Sequence, residues 1–537
     1  MPEKLLGGGS QEEIVKAIGE NLGYFISEHY QKQVPRLTTL ERYYQGYNDI
    51  LYWKSDKANH RADNRITMGY PKAITNIRVG YAVGNPIQYK FNSNAEDNKS
   101  KGKQLIDLIN QFNNENDIEY HDKMMRKNLS ITGRAYELIY SPSGTVEIKV
   151  TDIDPTQAFV VYNDKIERKP LFGVYYFPVK FKDNIQWRVT VYTEDFVIEY
   201  PLVDNPEQDY EALEPDVNES AFSGVPLLEA RNNAERMGDW ESKLNEFDAA
   251  DKSISEMANS QEDFNNAILC ISGKIDLSAN HEPILDDSGE PMLDDDGNIL
   301  YHIKPGEEVD PKARVMFLKS SVTEGGTGTP VVTPTTAEYL VKELNADGWK
   351  TYMDKLNSDI HKDTNTPDVS DENFASNASG VAMSYKLWGQ DQERAIQESL
   401  YKRMLMDRYR LVAIGWFALA KDGGLGNVLK DGKDILELVN QVQPVFLPNL
   451  PKNDAEVLGV AESLSKTGAF SNKTIQEYAA NVTGVDSEEE QRRIKDEEPE
   501  KPTFGEQIPA LNSVKAMQDK DAELNSTSDP TNTGADE

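Results

Sequence analysis

The chain has 537 residues, with 57 lysines and arginines against 91 aspartates and glutamates, a formal charge of −34 at pH 7. So negative a balance argues against a surface that grips duplex DNA, because affinity for phosphates is built from cations. The one cysteine, Cys270, excludes an intramolecular disulfide framework and every Cys-rich zinc module. At ~150 residues per domain the length predicts three or four structural parts with ample core. With glycine counted in place of tyrosine the apolar share is about 40%, below the roughly 45–50% of a typical globular chain, which predicts an extended, loop-rich or partly disordered molecule. The longest uncharged apolar run, Leu411 to Ala420, is about half a bilayer span, and no signal-peptide pattern opens the chain. A soluble, intracellular protein of several parts is expected.

The first ninety residues read as helical. Ser10 and Glu13 make a capping box, followed by Ile14, Ile18, Leu22 and Phe25 at helical spacing. A second helix carries Leu40, Tyr43, Tyr44, Tyr47 and Leu51, and a third opens at Pro71 and stops at Gly84-Asn85-Pro86. Between Tyr136 and Tyr200 short β-rich runs follow one another: 137–140, 146–150, 158–162, 172–177, 185–192 and 196–200. A loop rich in Pro, Asp and Glu (201–226) closes this part, and residues 1–232 are expected to form one α+β domain.

Ala234 to Asn265 reads as one long helix with Trp240, Leu244, Phe247, Ile254, Met257 and Phe264 on its stripe. A strand with Ile268 to Ile271 follows, then an acidic insert whose turns, Asp287-Ser288-Gly289 and Asp296-Gly297-Asn298, imply hairpins. A strand over 313–318 and a loop over 325–334 lead to a second long helix from Thr335 to about Ile360. A polar loop over 362–378 precedes a third helix from Ser379 to about Lys421. Short helices end the ordered part, one of them capped by Asn453 and Glu456. The charged tail after Gly484 reads as mostly disordered. No internal repeat at a fixed period is apparent.

A search for catalytic chemistry returns little. Gly432-Lys433 is followed by Asp434 and preceded by Asn427 where a phosphate-cradling loop needs glycine, so it is no Walker motif, and Gly424-Leu425-Gly426 reads as a helix-ending turn. His281-Glu282 lacks a zincin's second histidine, and no nucleophile elbow exists. His29, His60, His121, His281, His302 and His361 are scattered and read as surface or interface residues; Cys270 reads as a small core residue. A calcium loop with its glycine at Gly297 would need acids where Met292 and Ile303 stand, so the Asp294-Asp295-Asp296 run reads as a solvated hairpin tip. With so many carboxylates no general acid–base pair can be singled out, and no catalytic residue, metal or cofactor is expected. The long helices could pair within one monomer as a bundle, or pack against copies of themselves around an axis; their periodicity is compatible with both.

Two stretches are distinctive. Asp63-Asn64-Arg65-Ile66, Tyr70-Pro71-Lys72-Ala73-Ile74 and Tyr81-Ala82-Val83-Gly84-Asn85-Pro86-Ile87 form one. Pro367-Asp368-Val369-Ser370-Asp371-Glu372-Asn373-Phe374, Asn377 to Ala382 and Tyr385-Lys386-Leu387 form the other. Together, around two long helices with a β insert, they resemble the portal proteins of tailed bacteriophages of the SPP1 type, over most of residues 10–480.

The resemblance implies a mainly helical α+β subunit with eight parts. These are a wing (1–232), a first stem helix (233–267), a clip (268–334), a second stem helix (335–361), a tunnel loop (362–378), a long wing helix (379–425), a crown (426–485) and an acidic tail (486–537). It further implies a non-enzymatic ring, usually of twelve subunits, at one capsid vertex, assembled in the host bacterial cytoplasm and retained in the virion. Double-stranded DNA would pass through it without sequence preference in packaging and ejection. Terminase and then a head–tail connector protein would dock on the clip, and the major capsid and scaffolding proteins would surround it; no membrane is involved.

Onto this sequence the resemblance carries wing-motif residues Asn64, Arg65, Tyr70, Pro71, Lys72, Gly84, Asn85 and Pro86. The channel-facing loop would hold Lys362, Asp363, Asn365, Thr366, Asp368, Asp371, Glu372 and Asn373, and the clip face Asp286, Asp287, Asp294, Asp295 and Asp296. The acidic insert around 282–310 and the long tail depart from the family pattern. Alternatives are a soluble coiled-coil scaffold and, further off, an acidic hydrolase.

Overall fold

The computed structural model describes residues 10–497 except 55–61, 93–95, 143–144, 146, 183, 265–267, 273, 276–282, 301–317, 320, 325–329, 335, 341–344, 370–379, 421–431, 450–453, 469 and 484–486. The chain is α+β and divides into two compact units, Met1–Leu450 and Pro451–Glu537.

The capping box forms as the sequence predicts: Glu13 N donates to Ser10 Oγ at 3.4 Å and Ser10 N to the Glu13 carboxylate at 3.2 Å. From it α1 (Gln11–Glu28) buries Ile14, Ile18, Leu22 and Ile26, four residues apart on one face. Ile26 rather than Phe25 closes the stripe; Phe25 lies at the border, edge-on to Phe172. One π turn (His29–Gln33) then leads into α2 (Val34–Tyr44). His29, expected at the surface, is buried on this turn, its Nδ1 2.7 Å from the Tyr176 hydroxyl. Burial, with Arg134 nearby, pushes its pKa down to about 4. A 3-10 turn (Asp49–Tyr52), α3 (Tyr70–Val83) and β1 (Gln88–Phe91) follow. Two helices not anticipated from sequence, α4 (Glu96–Glu115) and α5 (Ile118–Thr132), complete the helical part.

The β-rich region makes two antiparallel sheets. β2 (Arg134–Tyr140) sits between β3 (Lys149–Ile153) and β9 (Leu227–Arg231). Pairing on β2 starts at Lys149, so the second strand lies later than expected. The other sheet runs in chain order: β4 (Ala158–Tyr162), β5 (Pro170–Phe181), β6 (Asn184–Tyr192), β7 (Phe196–Glu199) and β8 (Asp216–Glu219). β8 falls inside the segment read as a loop. These sheets exclude the coiled-coil scaffold, which requires no β-rich N-terminal part.

The first long helix is shorter than its pattern suggests: α6 spans Leu244–Phe264. Residues 232–240 instead form an irregular turn, because Asn232 and Asn233 both donate to Met237 O (3.0 and 2.9 Å) and Arg236 takes a left-handed φ of 60°. Asparagine side chains offer the backbone these local alternatives to a helix. β10 (Ile268–Ser272), β11 (Lys274–Ile275), β12 (Leu318–Lys319), β13 (Ser321–Glu324), β14 (Pro330–Thr333) and β15 (Thr336–Leu340) follow. β15 takes residues that were expected to open the second long helix, since it supplies the ladder for β10, with Cys270 opposite Glu338. That helix, α7 (Ala346–Asp363), starts only where Asn345 caps it by accepting from Gly348 N at 2.9 Å. The strand expected over 313–318 lies, but for its last residue, outside the described residues.

α8 (Gly380–Ala420) matches the predicted third helix and, at 41 residues, is ~62 Å long. α9 (Gly432–Val439) packs on α8, and β16 (Val442–Val445) pairs with β1. The second unit carries α10 (Asp454–Thr467), α11 (Asn472–Thr483) and α12 (Ser487–Glu497), packed in sequence. α12 lies in the tail read as disordered. Asn453 and residues beyond 497 lie outside the described set.

Cores form where these faces meet. α1 covers the five-stranded sheet, and α4, α5, β2, α8 and α9 share the largest core. Within that core Arg408 of α8 is fully buried. Its Nη2 lies 2.6 Å from Glu137 of β2 and 2.8 Å from Asp122 of α5, and Tyr401 donates to Asp122 at 2.9 Å. His121, also expected at the surface, is buried beside them, its Nε2 2.9 Å from Glu137. Burial would raise the Glu137 pKa, but Arg408 outweighs it and holds the carboxylate at about 2.

Arg408→Met should therefore leave two buried carboxylates without their cation and cost about 3–5 kcal/mol in urea unfolding at pH 7. A depressed folded pKa means that this stabilisation is complete above the unfolded value and lost as pH falls toward 2. The gap between wild type and variant should thus narrow steadily below about pH 4; a gap independent of pH would contradict the pairing.

Candidate functional site

The first distinctive sequence stretch packs along α6, and the described start of the second, residues 367–369, leaves the end of α7. Residues 64–68 run as an extended strap along α6. Asn64 N donates to Asn259 Oδ1 (2.5 Å), Ile66 N to Ser255 Oγ (2.9 Å) and Met68 N to Asp251 Oδ1 (2.6 Å). Two extended residues advance ~6.6 Å and four helical residues ~6.0 Å, so alternate strap amides match every fourth side chain of the helix. The face of α6 buried past Ala250 is therefore Asp251, Ser255 and Asn259, while Ile254 and Met257 of the expected apolar stripe are only half-buried. A partner made of backbone N–H groups needs acceptors, not methyl groups. Asn64 Nδ2 adds a bond to Glu262 (2.7 Å), Asn48 donates to Asp251 (2.6 Å) and Tyr43 to Asp248 (2.6 Å). Arg65 points away, donating to Leu51 O (2.9 Å).

Beyond the strap, Tyr70 stacks on Phe247 at 5.9 Å and meets His361 edge-on, joining the start of α3 to α6 and to the end of α7. Pro71 is buried in the first turn of α3 and Lys72 is exposed. At the other end, Gly84 lies against Asn449 with no room for a side chain, and Asn85 donates to Leu447 O at 3.2 Å; Pro86 is exposed.

α3 also carries Arg78, which is buried at a junction of five elements. Its Nε lies 2.9 Å from Asp239, and its Nη1 donates to Thr364 O (2.6 Å) and to Glu393 of α8 (3.0 Å). Asp239 also accepts from Asn232 (2.8 Å) and Gln397 (2.9 Å), its amide donates to Ser130 O of α5 (2.8 Å), and Arg126 of α5 stands 3.6 Å away. Burial would raise the pKa of this carboxylate; Arg78 and Arg126 together hold it below the usual range. The next residue, Trp240, is fully buried and donates to Thr75 Oγ1 of α3 at 2.9 Å.

α6 and α7 run antiparallel. Lys243 meets Asp363 (2.6 Å) at one end, and Trp349 Nε1 donates to Ser253 Oγ (3.0 Å) further along. α7 runs on through Asp363, so the polar loop expected from 362 leaves it only at Thr364; Lys362, Asp363 and Asn365 are exposed. Asn365 adopts a left-handed φ of 48° and donates to Glu393 at 3.2 Å. Thr366 points inward, buried, its hydroxyl donating to Thr364 O at 3.1 Å. Asp368 accepts from Asn357 at 2.8 Å. Asp371, Glu372 and Asn373 lie outside the described residues. A cavity of about 290 Å³ opens at the foot of the loop between Lys362, Asp368, Lys386 and Gln390.

The insert acids lie elsewhere. Asp286 accepts from Ser288 N and Glu290 N (both 2.9 Å), and Asp294 accepts from Asp296 N (3.0 Å) and Asn298 N (2.8 Å). Gly289 and Gly297 close the two three-residue loops at φ 84° and 83°, a conformation that favours glycine. The matching geometry exposes an eight-residue repeat, Leu285–Met292 and Leu293–Leu300, where none was expected from sequence. Two copies are too few to stand out as a period. Asp287, Asp295 and Asp296 project from the turns.

A cavity of about 470 Å³ between β4, β5, β9 and α8 is lined by two acids, Glu229 and Asp407. Glu229, however, already accepts from Tyr162 (2.7 Å), Arg231 (3.2 Å) and Arg236 (2.9 Å), and Asp407 from Arg410 (2.7 Å). Among the described residues no group of three His, Cys, Asp or Glu side chains could hold a metal ion, and no helix is long and apolar enough to cross a membrane.

Sequence reading missed Arg78, Asp239 and the Asp251-Ser255-Asn259 row. The row did leave a signal, polar residues exactly four apart in the middle of a helix. Arg78 and Asp239 left none, because they stand 161 residues apart and, Asn232 aside, their partners lie on other elements.

A profile of phage portal proteins, SPP1 Gp6-like, matches residues 24–502. No curated protein matches the chain significantly.

Burial raises the Asp251 pKa to about 6, so its stabilising contribution is complete below the unfolded value and lost as pH rises through 6. Asn48 Oδ1 is buried without a hydrogen-bond partner beside it, and can accept from an amide placed at 251. Asp251→Asn should match wild type near pH 4 and exceed it by an order of 2 kcal/mol at pH 8. Parallel pH profiles in urea unfolding would show that Asp251 carries no buried charge.

Proposed function

Because the chain belongs to the SPP1 Gp6-like phage portal family, we propose that it assembles as a ring at one capsid vertex and conducts DNA into the head during packaging and out of it during ejection. The family match over residues 24–502 carries this reading. Twelve subunits, stem helices made of α6 and α7, a clip built from the strands and hairpins between them, and a tunnel loop leaving α7 belong to the same proposal.

Three features support it. α6 and α7 leave Ile254, Met257, Met353 and Leu356 half-buried and Tyr352 exposed, which suits helices that complete their packing against a neighbouring copy. The Arg78–Asp239 junction fixes the direction in which the loop leaves α7. Finally, α6 carries six carboxylates and one lysine, and a channel that moves DNA must not hold it, because each neutralised phosphate adds affinity to be broken at the next step. On this assignment the acidic stem repels the duplex, and among the described residues Lys362 and Asn365 are exposed polar donors of the loop within its reach. Chemistry would come from a terminase docked on the clip, later replaced by a head–tail connector protein; the ring itself performs none.

Negative-stain microscopy with light scattering on the same fraction tests this. Rings with a central hole and a mass of twelve times 60.4 kDa, about 725 kDa, are expected. A particle that stays monomeric across a series of salt and protein concentrations would overturn the reading. Rings should also bind duplex DNA more weakly than about 10⁻⁴ M at physiological salt; a tighter, salt-sensitive complex would refute the repelling channel.

A further inference from the structure

Carboxylates so outnumber cations in this chain, 91 to 57, that an arginine without a partner stands out. Among the described residues two arginines, Arg168 and Arg403, make no hydrogen bond or ion pair, and both line the cavity of about 470 Å³ between β4, β5, β9 and α8. They come from different elements, Arg168 from the β4–β5 loop and Arg403 from α8. A third arginine, Arg231, lines the same cavity and is held in place. Glu229 accepts from its Nε (3.3 Å) and Nη2 (3.2 Å), and its guanidinium lies 4.9 Å from the centre of the Tyr162 ring. The acids of the lining are already engaged: Glu229 also with Arg236, Asp407 with Arg410, and Glu167 with Lys169 at 3.5 Å. Leu227, Leu228 and Met404 supply a buried apolar floor, and Ile166, fully exposed, lines the cavity as well.

We propose that this cavity binds a small organic oxyanion, a phosphate or carboxylate carried on an apolar body. Guanidiniums are flat, permanently charged forks that match such oxyanions in pairs of hydrogen bonds. Most ligand pockets combine an apolar lining with a few fixed polar groups, and this volume lies in their usual range. Each half of the lining excludes a simpler occupant. A bare inorganic anion would leave the leucines and methionine in water, and a neutral apolar molecule would leave two guanidiniums without a counter-charge. Duplex DNA offers phosphates but no apolar body at their side, and the chain's charge of −34 repels it.

The site does not rest on the portal reading. Calorimetric titration of the full-length protein would compare three probes: 1-naphthyl phosphate, inorganic phosphate and 1-naphthol. Naphthyl phosphate should bind once per chain, with Kd on the order of 10⁻⁴ M or tighter. The other two should bind at least tenfold more weakly. Arg168→Gln/Arg403→Gln should weaken naphthyl phosphate at least tenfold and leave the urea midpoint unchanged, since neither side chain has a partner to lose. Raising the salt should weaken the wild type more than this variant. No saturable binding of naphthyl phosphate overturns the proposal, as does a double variant that binds it at wild-type strength. Equal binding of inorganic phosphate would reduce the cavity to a bare anion site, and equal binding of 1-naphthol to an apolar one; either result overturns it. Binding by dilute monomer that disappears on self-association would assign the cavity to an interface between copies and overturn it too.

Discussion

A single buried carboxylate, Asp239, organises the middle of this molecule. An ionised group cut off from water is tolerated only when opposite charge and hydrogen bonds offset the water it has lost. Here the partners come from α3 (Arg78), α5 (Arg126), α8 (Gln397) and the turn itself (Asn232). The turn at 232–240, which replaces the helix its composition suggests, holds Asp239 beside both arginines. It also reaches forward. Arg78 spends its other donors on Thr364 O and Glu393, so the exit from α7 and the first half of α8 are tied to the same charge.

α6 shows the complementary device, in which polar side chains serve as acceptors for someone else's backbone. The strap at 64–68 has no strand beside it, and its amides would be unsatisfied without Asn259, Ser255 and Asp251. The near-equality of two extended residues and four helical ones makes the match possible. Spending that face on polar contacts leaves the apolar residues of α6 half open. On the portal reading this is economical, since one helix face binds the strap within the subunit and another is left for a neighbour. The hairpin insert uses carboxylates the same way, with Asp286 and Asp294 closing the turns. Much of the chain's acidity is therefore structural, and only the remainder faces outward.

Local order was largely legible. The Ser10–Glu13 box, the start of α3 at Pro71, the strands from 158 to 199 and the length of α8 follow from capping, proline placement, alternation and helical period, all written within a few residues. Several errors fell where a remote partner overrode a local pattern. β15 took Thr336–Leu340 from the second long helix because β10 needed a ladder. His29 and His121 went inside because Tyr176 and Glu137 were waiting for them. A sequence cannot display these, since the partners stand far along the chain or on elements whose packing is not yet known.

By itself the sequence determined the capped start of α1, the start of α3, the strands from 158 to 199, the extent of α8, the α+β class, the family, and the loop chemistry of the insert, because each depends on residues adjacent in the chain or on a motif read in order. Only the tertiary structure decided which faces are buried. It placed Asp251, Ser255 and Asn259 inward on α6, turned Thr366 away from the loop's exposed side, and brought Arg78 to Asp239 and Arg408 to Glu137. Burial of a charge is settled by the balance between losing water and gaining an opposite charge, and that balance exists only once elements from distant parts of the chain have met.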